Sequence, residues 1–302
     1  MTGSVRIVQL SDTHFLEDGE EAEGGFSYDT AEAFDAVHAH VDGASKADLV
    51  VITGDIADHG RPAQYQRAAS AFERFVAPVN TCPGNHDQDA AFTVGMGRPQ
   101  IGTSRVIEAG AWSFLFVDSN AGVMVPHESG RHVDPTDYSD RLHRNGALGE
   151  RESTWIRDMC AAASTPNVFV WVHHPPEPPI GMIDEPEYAQ EWRSLLIDLP
   201  MIKGFGGGHT HWPAEYEFEG RPVHLCPALK NNFDIAAVTL LPPGYRTYEF
   251  AEDGTFSGQA HLVDDDRWPR HRIGRTVLAL LKGEMSFEQF DERVAARKAR
   301  DA

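Results

Sequence analysis

The first apolar pattern in the chain is VRIVQL (Val5 to Leu10), which alternates, is rich in β-branched residues and predicts a strand. Asp29 and Glu32 then form a capping-box candidate for a helix whose apolar face is Phe34, Val37 and Val41. DLVVIT (Asp48 to Thr53) is a continuous apolar run, as expected of a strand covered on both faces. Pro62 suits the first position of a second helix, and Tyr65, Ala69, Phe72 and Val76 keep the helical period after it. VNTC (Val79 to Cys82) predicts a short third strand, and RVIEAGAWSFLFVD (Arg105 to Asp118) a hairpin. Glu150 to Ala163 reads as a helix around Trp155, Ile156 and Met159, and NVFVWV (Asn167 to Val172) as a buried strand. MIKGF (Met201 to Phe205), short and apolar after Pro200, predicts a strand that delivers the glycines of GGGHTH to its end.

Beyond this point the texture becomes antiparallel β. AEYEFEGRPVHLCP carries Glu219-Gly220 between alternating runs, a hairpin signal, and AAVTLLPPGYRTYEFAEDGTF continues in the same manner. After Asp264, Asp265 and Asp266 the chain turns charged and helical, with Ser286 and Gln289 as another capping-box candidate. The early βαβαβ order implies a layered α/β core, and the β-rich additions make it two packed sheets flanked by helices. The chain divides into a domain over residues 1–264 and a charged helical C-terminal extension over 265–302. The expected role of that extension is packing or a contact within a homo-oligomer.

The composition, 41% hydrophobic and 24% charged over 302 residues, is that of an ordinary soluble globular protein. No apolar run approaches membrane-spanning length, and MTGSVRIVQLSD enters a strand without a signal-peptide pattern. Cys82, Cys160 and Cys226 are widely spaced with no CxxC, which fits half-buried thiols in a reducing cytoplasm. The formal charge of −20 repels nucleic acid and anionic membrane surfaces. An anionic substrate therefore requires something local that reverses the sign.

Five clusters of metal-competent residues each follow a predicted strand: Asp12 and His14, then Asp55, then Asn85 and His86, then His173, then His209 and His211. Open α/β sheets bind ligands at the carboxyl ends of their strands, so the five clusters converge on one crevice. Imidazole, carboxylate and amide donors suit Zn, Fe, Mn or Co. The donors are too many for one ion and about right for two that share a carboxylate. Alternate residues of an extended segment face opposite ways, so His209 and His211 need a bent backbone or serve different ions. The glycines Gly206 to Gly208 permit the bend and let the loop pass close to the metals.

In order, DTH, GDIAD, GNHD, HHPP and GHTH resemble the motifs of the calcineurin-like metallophosphoesterases, and the resemblance spans roughly Val5 to Val263. SDTHF and GDIADHGRPAQYQRA are most similar to the bacterial branch holding class III cyclic-nucleotide phosphodiesterases and glycerophosphodiesterases. The resemblance implies an α/β fold, a four-layer α/β/β/α sandwich with two central mixed β-sheets. It implies two divalent or mixed-valence transition-metal ions, Fe, Mn, Zn or Co. Asp12, His14 and His211 would hold one ion, Asn85, His173 and His209 the other, and Asp55 would bridge them. His86 would face the substrate without ligating, and Asn85, His86 and His211 would contact it. Two divalent ions, two aspartates and a bridging hydroxide leave the crevice about +1, which suits a phosphodiester monoanion. Ions about 3.5–4 Å apart can activate that hydroxide and clamp the phosphoryl oxygens.

The expected activity is hydrolysis of a small phosphodiester, a 3′,5′-cyclic nucleotide first and a glycerophosphodiester second. Rival readings are a phosphomonoesterase, a nuclease, for which the composition offers no basic groove, and a metal-binding module without turnover. His174, Asp58 and Asp87 read as supports of the ligands. His38 and His40 read as solvated helix residues without acidic partners in register, and Arg61 as the partner of a neighbouring acid. Ser119 to Gly146, a long polar segment with His127, His132 and His143, reads as a cap over the crevice.

Overall fold

Alternation along Val5–Leu10 decides which layer each of its side chains joins. The computed structural model describes residues 3–20, 28–44, 46–87, 89–96, 105–120, 146–180, 186–268, 270–286, 289–290, 292–293 and 296. In it Val5 and Ile7 enter one apolar layer while Val8 and Leu10 enter another.

The elements run β1 (Val5–Leu10), α1 (Thr30–Ala44), β2 (Leu49–Thr53), α2 (Pro62–Phe72), β3 (Val79–Cys82), α3 (Asp89–Met96), β4 (Arg105–Ala109) and β5 (Trp112–Phe116). Then come α4 (Gly149–Ala162), β6 (Asn167–Trp171), α5 (Pro186–Asp198), β7 (Ile202–Gly207), β8 (Glu215–Phe218) and β9 (Arg221–Leu225). The series closes with β10 (Asn232–Asp234), β11 (Thr239–Leu241), β12 (Gly244–Phe250), β13 (Phe256–Leu262) and α6 (Arg275–Leu281).

One sheet has the order β13-β12-β1-β2-β3 and the other β4-β5-β6-β7-β9-β8. Both are mixed: β1, β2 and β3 are parallel and β12 antiparallel to β1, while β5, β6, β7 and β9 are parallel with antiparallel β4 and β8 at the edges. Between the sheets lies an aromatic core of Trp112, Phe114, Phe169 and Trp171 against Tyr248 and Phe250. The outer face of the first sheet packs under α1, α2 and α3 through Phe34, Val37, Tyr65, Phe72 and Phe92. The outer face of the second packs under α4 and α5 through Ile156, Tyr188, Trp192 and Leu195. Three apolar interfaces therefore separate four layers, α/β/β/α, with the edge strands β13, β4 and β8 partly exposed.

Local signals account for most boundaries. Asp29 Oδ1 accepts from the amides of Ala31 and Glu32, both at 3.0 Å, and caps α1. Glu32 pairs with Arg267 instead of completing the box. The reciprocal bonds of a capping box do form between Ser286 and Gln289. Glu219 and Gly220 are both left-handed, φ 49° and 71°, the type I′ geometry that joins β8 to β9.

Three expectations are corrected. Val76 lies past the end of α2 and is fully exposed. His38 is buried, packs 4.8 Å from the Phe75 ring, and has an acidic partner at i+4 in Asp42. The helical pattern stops at Phe72 but the chain turns back so that Phe75 covers His38, a contact that periodicity alone does not contain. Finally β7 runs through Gly206 and Gly207, so the strand includes glycines expected to follow it. Two helices, α3 and α5, go beyond the pattern reading; α3 has eight residues and contains Gly95.

Trp268, Ile273, Leu280 and Leu281 are buried; Ile273 and Leu281 belong to the apolar packing around β10, β11 and Ile180, and Trp268 to that under the first sheet's helices. Among the described residues, no helix is long and apolar enough to cross a membrane.

Candidate metal centre

Each cluster sits at the carboxyl end of a parallel strand: Asp12 and His14 after β1, Asp55 after β2, Asn85 and His86 after β3, His173 after β6, and His209 and His211 after β7. The loops are tied to one another by main-chain bonds, Asp12 N to Gly54 O at 3.1 Å and His14 N to Asp55 O at 2.9 Å. Five of these residues have left-handed φ: Asp12 51°, His14 42°, Asp55 49°, His209 68° and His211 49°. Asp and His tolerate this region better than most residues, but each such residue costs of order 1–3 kcal/mol. The bends converge the side chains on one volume.

The bend in GGGHTH is therefore carried by the histidines themselves. The glycines supply space instead: a Cβ on Gly206 would lie 2.3 Å from Trp171, and one on Gly208 would lie 1.9 Å from Ser11 Oγ and 2.8 Å from the Thr53 carbonyl. His209 and His211 consequently face different neighbours. The His209 ring is 5.1 Å from that of His173, whereas His211 Nε2 is 3.3 Å from Asp12 Oδ1.

Donor atoms of Asp12, His14 and His211 lie within 4.8 Å of one another, as do those of Asp12, Asp55 and His173. Asp55 joins the halves. Its Oδ1 accepts from His86 N at 2.9 Å, and its Oδ2 lies 3.5 Å from His14 Nε2 and 3.3 Å from His173 Nε2. Asn85 Oδ1 is 3.1 Å from the same His173 Nε2. His86, His14 and Asp55 also form a close donor group, and the His86 ring stands edge-on to His14 at 4.7 Å. His174 packs 4.3 Å from the His209 ring and bonds Ser119 Oγ at 2.8 Å, so it touches a ligand candidate on one side and the segment after β5 on the other.

The imidazoles are oriented from behind. His14 Nδ1 lies 2.8 Å from Asp58 Oδ1, His173 Nδ1 donates to Thr53 O at 2.7 Å, and His211 Nδ1 donates to Asn231 Oδ1 at 2.6 Å. These acceptors place the proton on Nδ1 and turn Nε2 toward the centre, the arrangement that raises ligand basicity. His86 Nδ1 donates to Asp58 O at 2.6 Å. Asp87 ties the loops after β2 and β3 together, accepting from Gly84 N at 2.9 Å, Ile56 N at 3.1 Å and Tyr65 OH at 3.1 Å.

These donors fit divalent cations. His14 Nε2 is buried and makes no hydrogen bond, and burial together with Lys230 pushes the imidazole down to about 3, so it is the neutral form a metal needs. Burial opposes charge on Asp12 and Asp55, yet His211 and His173 hold both carboxyls below the usual range. Burial likewise pulls His173 down, but Asp55 outweighs it and pushes the imidazole up to about 9. Two buried carboxylates thus attract positive charge to the point where Asp55 faces both halves.

The segment Ala228–Phe233 is what the pattern reading missed. Leu229 N and Lys230 N reach Asp12 O at 3.3 and 3.2 Å, Asn231 holds His211, and Lys230 Nζ pairs with Asp58 at 2.6 Å. Its sequence signal is slight, a Lys-Asn-Asn flanked by Leu229 and Phe233. Residues 121–145, most of the expected cap, lie outside the described residues; of its roots, Asn120 Nδ2 bonds Gly84 O at 3.1 Å and Ala147 N bonds Ser119 O at 2.7 Å.

Among known proteins, the chain is 29% identical over 278 residues to the 3′,5′-cyclic adenosine monophosphate phosphodiesterase CpdA of Escherichia coli (strain K12), covering 87% of this chain and 92% of that one. It is 27% identical over 233 residues to the glycerophosphodiester phosphodiesterase GpdQ of Enterobacter lignolyticus, covering 74% and 76% respectively. A dimetal phosphatase from Danio rerio shares the fold, with a TM-score of 0.63 at 14% identity over 90% of this chain and 99% of that one. The family model described as calcineurin-like phosphoesterase matches residues 5–213, the stretch that carries every one of the converging clusters. The chain belongs to the calcineurin-like phosphoesterases, a family that hydrolyses phosphoesters.

Proposed function

We propose that this protein is a dinuclear-metal phosphodiesterase acting on small phosphodiesters, with a 3′,5′-cyclic nucleotide as its substrate. The observation that carries the reading is Asp55 Oδ2, 3.5 Å from His14 Nε2 and 3.3 Å from His173 Nε2, which makes one carboxylate common to two donor sets. Asp12, His14 and His211 would hold one ion, Asn85, His173 and His209 the other, and Asp55 both. Zn, Fe, Mn and Co all suit these nitrogen and oxygen donors. When bound, the ions supply Lewis acidity and lower the pKa of water toward neutrality.

The chain's own groups do the rest. Asn85, His86 and His211 line the crevice where the phosphodiester would bind. His86, anchored through Nδ1 to the Asp58 carbonyl, would carry a second proton on Nε2 and deliver it to the departing alkoxide. An overall charge of −20 disfavours nucleic acid polymers and leaves a small diester as the partner. Residues 1–264 form the catalytic domain in this reading, with 265–302 as an extension, and a reducing cytoplasm suits the three buried free cysteines.

A second reading, hydrolysis of glycerophosphodiesters, is favoured by the similarity to GpdQ. The test is the purified protein with Mn²⁺ or Zn²⁺ restored, assayed side by side on cyclic nucleotides, glycerophosphodiesters and phosphomonoesters. Preferred turnover of cyclic nucleotides supports the first reading, and of glycerophosphodiesters the second. Turnover of phosphomonoesters alone overturns both.

A further inference from the structure

The candidate ligands come from two sheets. Asp12, His14, Asp55 and Asn85 follow strands of the first, whereas His173, His209 and His211 follow strands of the second. A dinuclear centre built this way depends on the distance and register between sheets whose shared core is largely aromatic and aliphatic. Apolar packing resists separation but is not directional, so it constrains sliding weakly.

Gln9 and Arg246, register partners on β1 and β12, are buried polar side chains in that core, and Gln9 is the one on a strand that runs directly into candidate ligands. Alternation along β1 puts Gln9 on the same face as Val5 and Ile7, and it is wholly buried. Its Nε2 donates to Thr53 Oγ1 at 2.8 Å, within its own sheet, and to Gly207 O at 3.0 Å, in the opposite sheet. Its Oε1 accepts from Tyr248 OH at 2.8 Å. Both N–H groups of the amide are thereby used, and the Thr53 bond, made by the same nitrogen, aims the second N–H at Gly207. The Gln9 main chain meets the second sheet's side as well, accepting from Cys226 Sγ at 3.3 Å. Gln9 stands three residues before Asp12, and Gly207 two before His209. Further contacts cross the interface beside the Gln9–Gly207 bond, His173 Nδ1 to Thr53 O at 2.7 Å and His209 N to Asp12 Oδ1 at 3.1 Å.

We infer that Gln9 is a positioning residue: its amide pins β1 to β7 and so holds the two ligand-bearing sheets in the register that pairs the ions. The inference rests on the dinuclear reading. A methionine of similar length would satisfy the apolar surroundings, so an amide here serves direction more than burial. Losing a partner that orients metal ligands typically costs about 10–100-fold in metal affinity.

The experiment titrates metal-free protein with Mn²⁺ and follows pairing by the exchange-coupled electron paramagnetic resonance signal, beside melting of the metal-free form. Gln9→Met is expected to weaken uptake of the second ion about 10–100-fold. Tyr248→Phe, which removes a bond to the same amide but leaves Gln9–Gly207 intact, is expected to lower the melting temperature while pairing stays as in the parent. If Gln9→Met does not fold, Thr53→Val, isosteric and milder, must shift the second affinity in the same direction. Pairing equal to the parent in the Gln9 or Thr53 variant, or equally weakened in Tyr248→Phe, overturns the inference. A parent that never pairs the ions overturns the dinuclear reading and the inference with it.

Discussion

Lys230 offers the sharpest test of how the centre is supported. Its ammonium lies 2.6 Å from Asp58 Oδ1, with side chains 7% and 0% exposed, so the pair is shielded from water on both sides. Burial disfavours charge on Asp58, but the bond from His14 and the nearby Lys230 hold its carboxyl far below the usual range. Lys230→Met keeps the stem's volume and removes the charge, leaving a buried carboxylate with one cation fewer. Breaking one side of a buried pair costs about 3–5 kcal/mol. At about 2 °C per kcal/mol for a chain of this size, the melting temperature should fall by roughly 6–10 °C. Calorimetry or denaturant titration in chelator measures this without a contribution from bound metal. Asp58→Asn in the same background keeps an acceptor for His14 Nδ1 while removing the stranded charge, so the double variant should regain at least half of the loss. A Lys230→Met cost under about 1 kcal/mol, the scale of an exposed pair, would refute the reasoning. So would a double variant as unstable as the sum of the single ones, because a shared electrostatic term must appear as coupling.

Asp55→Ala should abolish activity and weaken both ions, since its Oδ2 faces both donor sets; elemental analysis that finds two ions fully retained removes its shared role. His86→Ala should slow a natural diester by about 10²–10⁴ and a nitrophenyl diester much less, because only the alkoxide needs a proton to leave. An equal drop on both substrates, with metals intact, assigns His86 to phosphate binding instead. His224 is buried, stacked at 5.6 Å on Tyr248, and pushed down to about 4 by burial and then by Arg246. The folded state therefore binds fewer protons than the unfolded one between about pH 4 and 6.5, and stability rises with pH across that window. The contribution is complete above about 6.5 and lost toward 4, worth at most about 3 kcal/mol. His224→Phe should flatten the melting profile over this range, and an unchanged slope would assign it to other groups.

What could be read from the chain alone was local in origin. Apolar runs and alternation located β1, β2, β3, β5 and β6, because a strand's burial is written in its own residues. The convergence of the candidate clusters was legible for the same reason, since each directly follows its strand and parallel strands end on one edge. The tertiary structure decided how they are used. His211 meets Asp12 and His209 meets His173 because both histidines adopt left-handed φ, a conformation that residue type permits but does not dictate. Gly206 and Gly208 are required by Trp171 and Ser11 pressing on them, not by their own φ, and those neighbours are distant in sequence. The groups behind the imidazoles are equally remote: Thr53, the acceptor for His173, is 120 residues from it, and Lys230, which donates to the Asp58 carboxylate beside His14, is 172 from Asp58. Gln9 reads in sequence as the polar half of an alternating strand, which normally faces water. Only the second sheet, bringing Gly207 from 198 residues away, covers that position and gives its amide a partner across the interface.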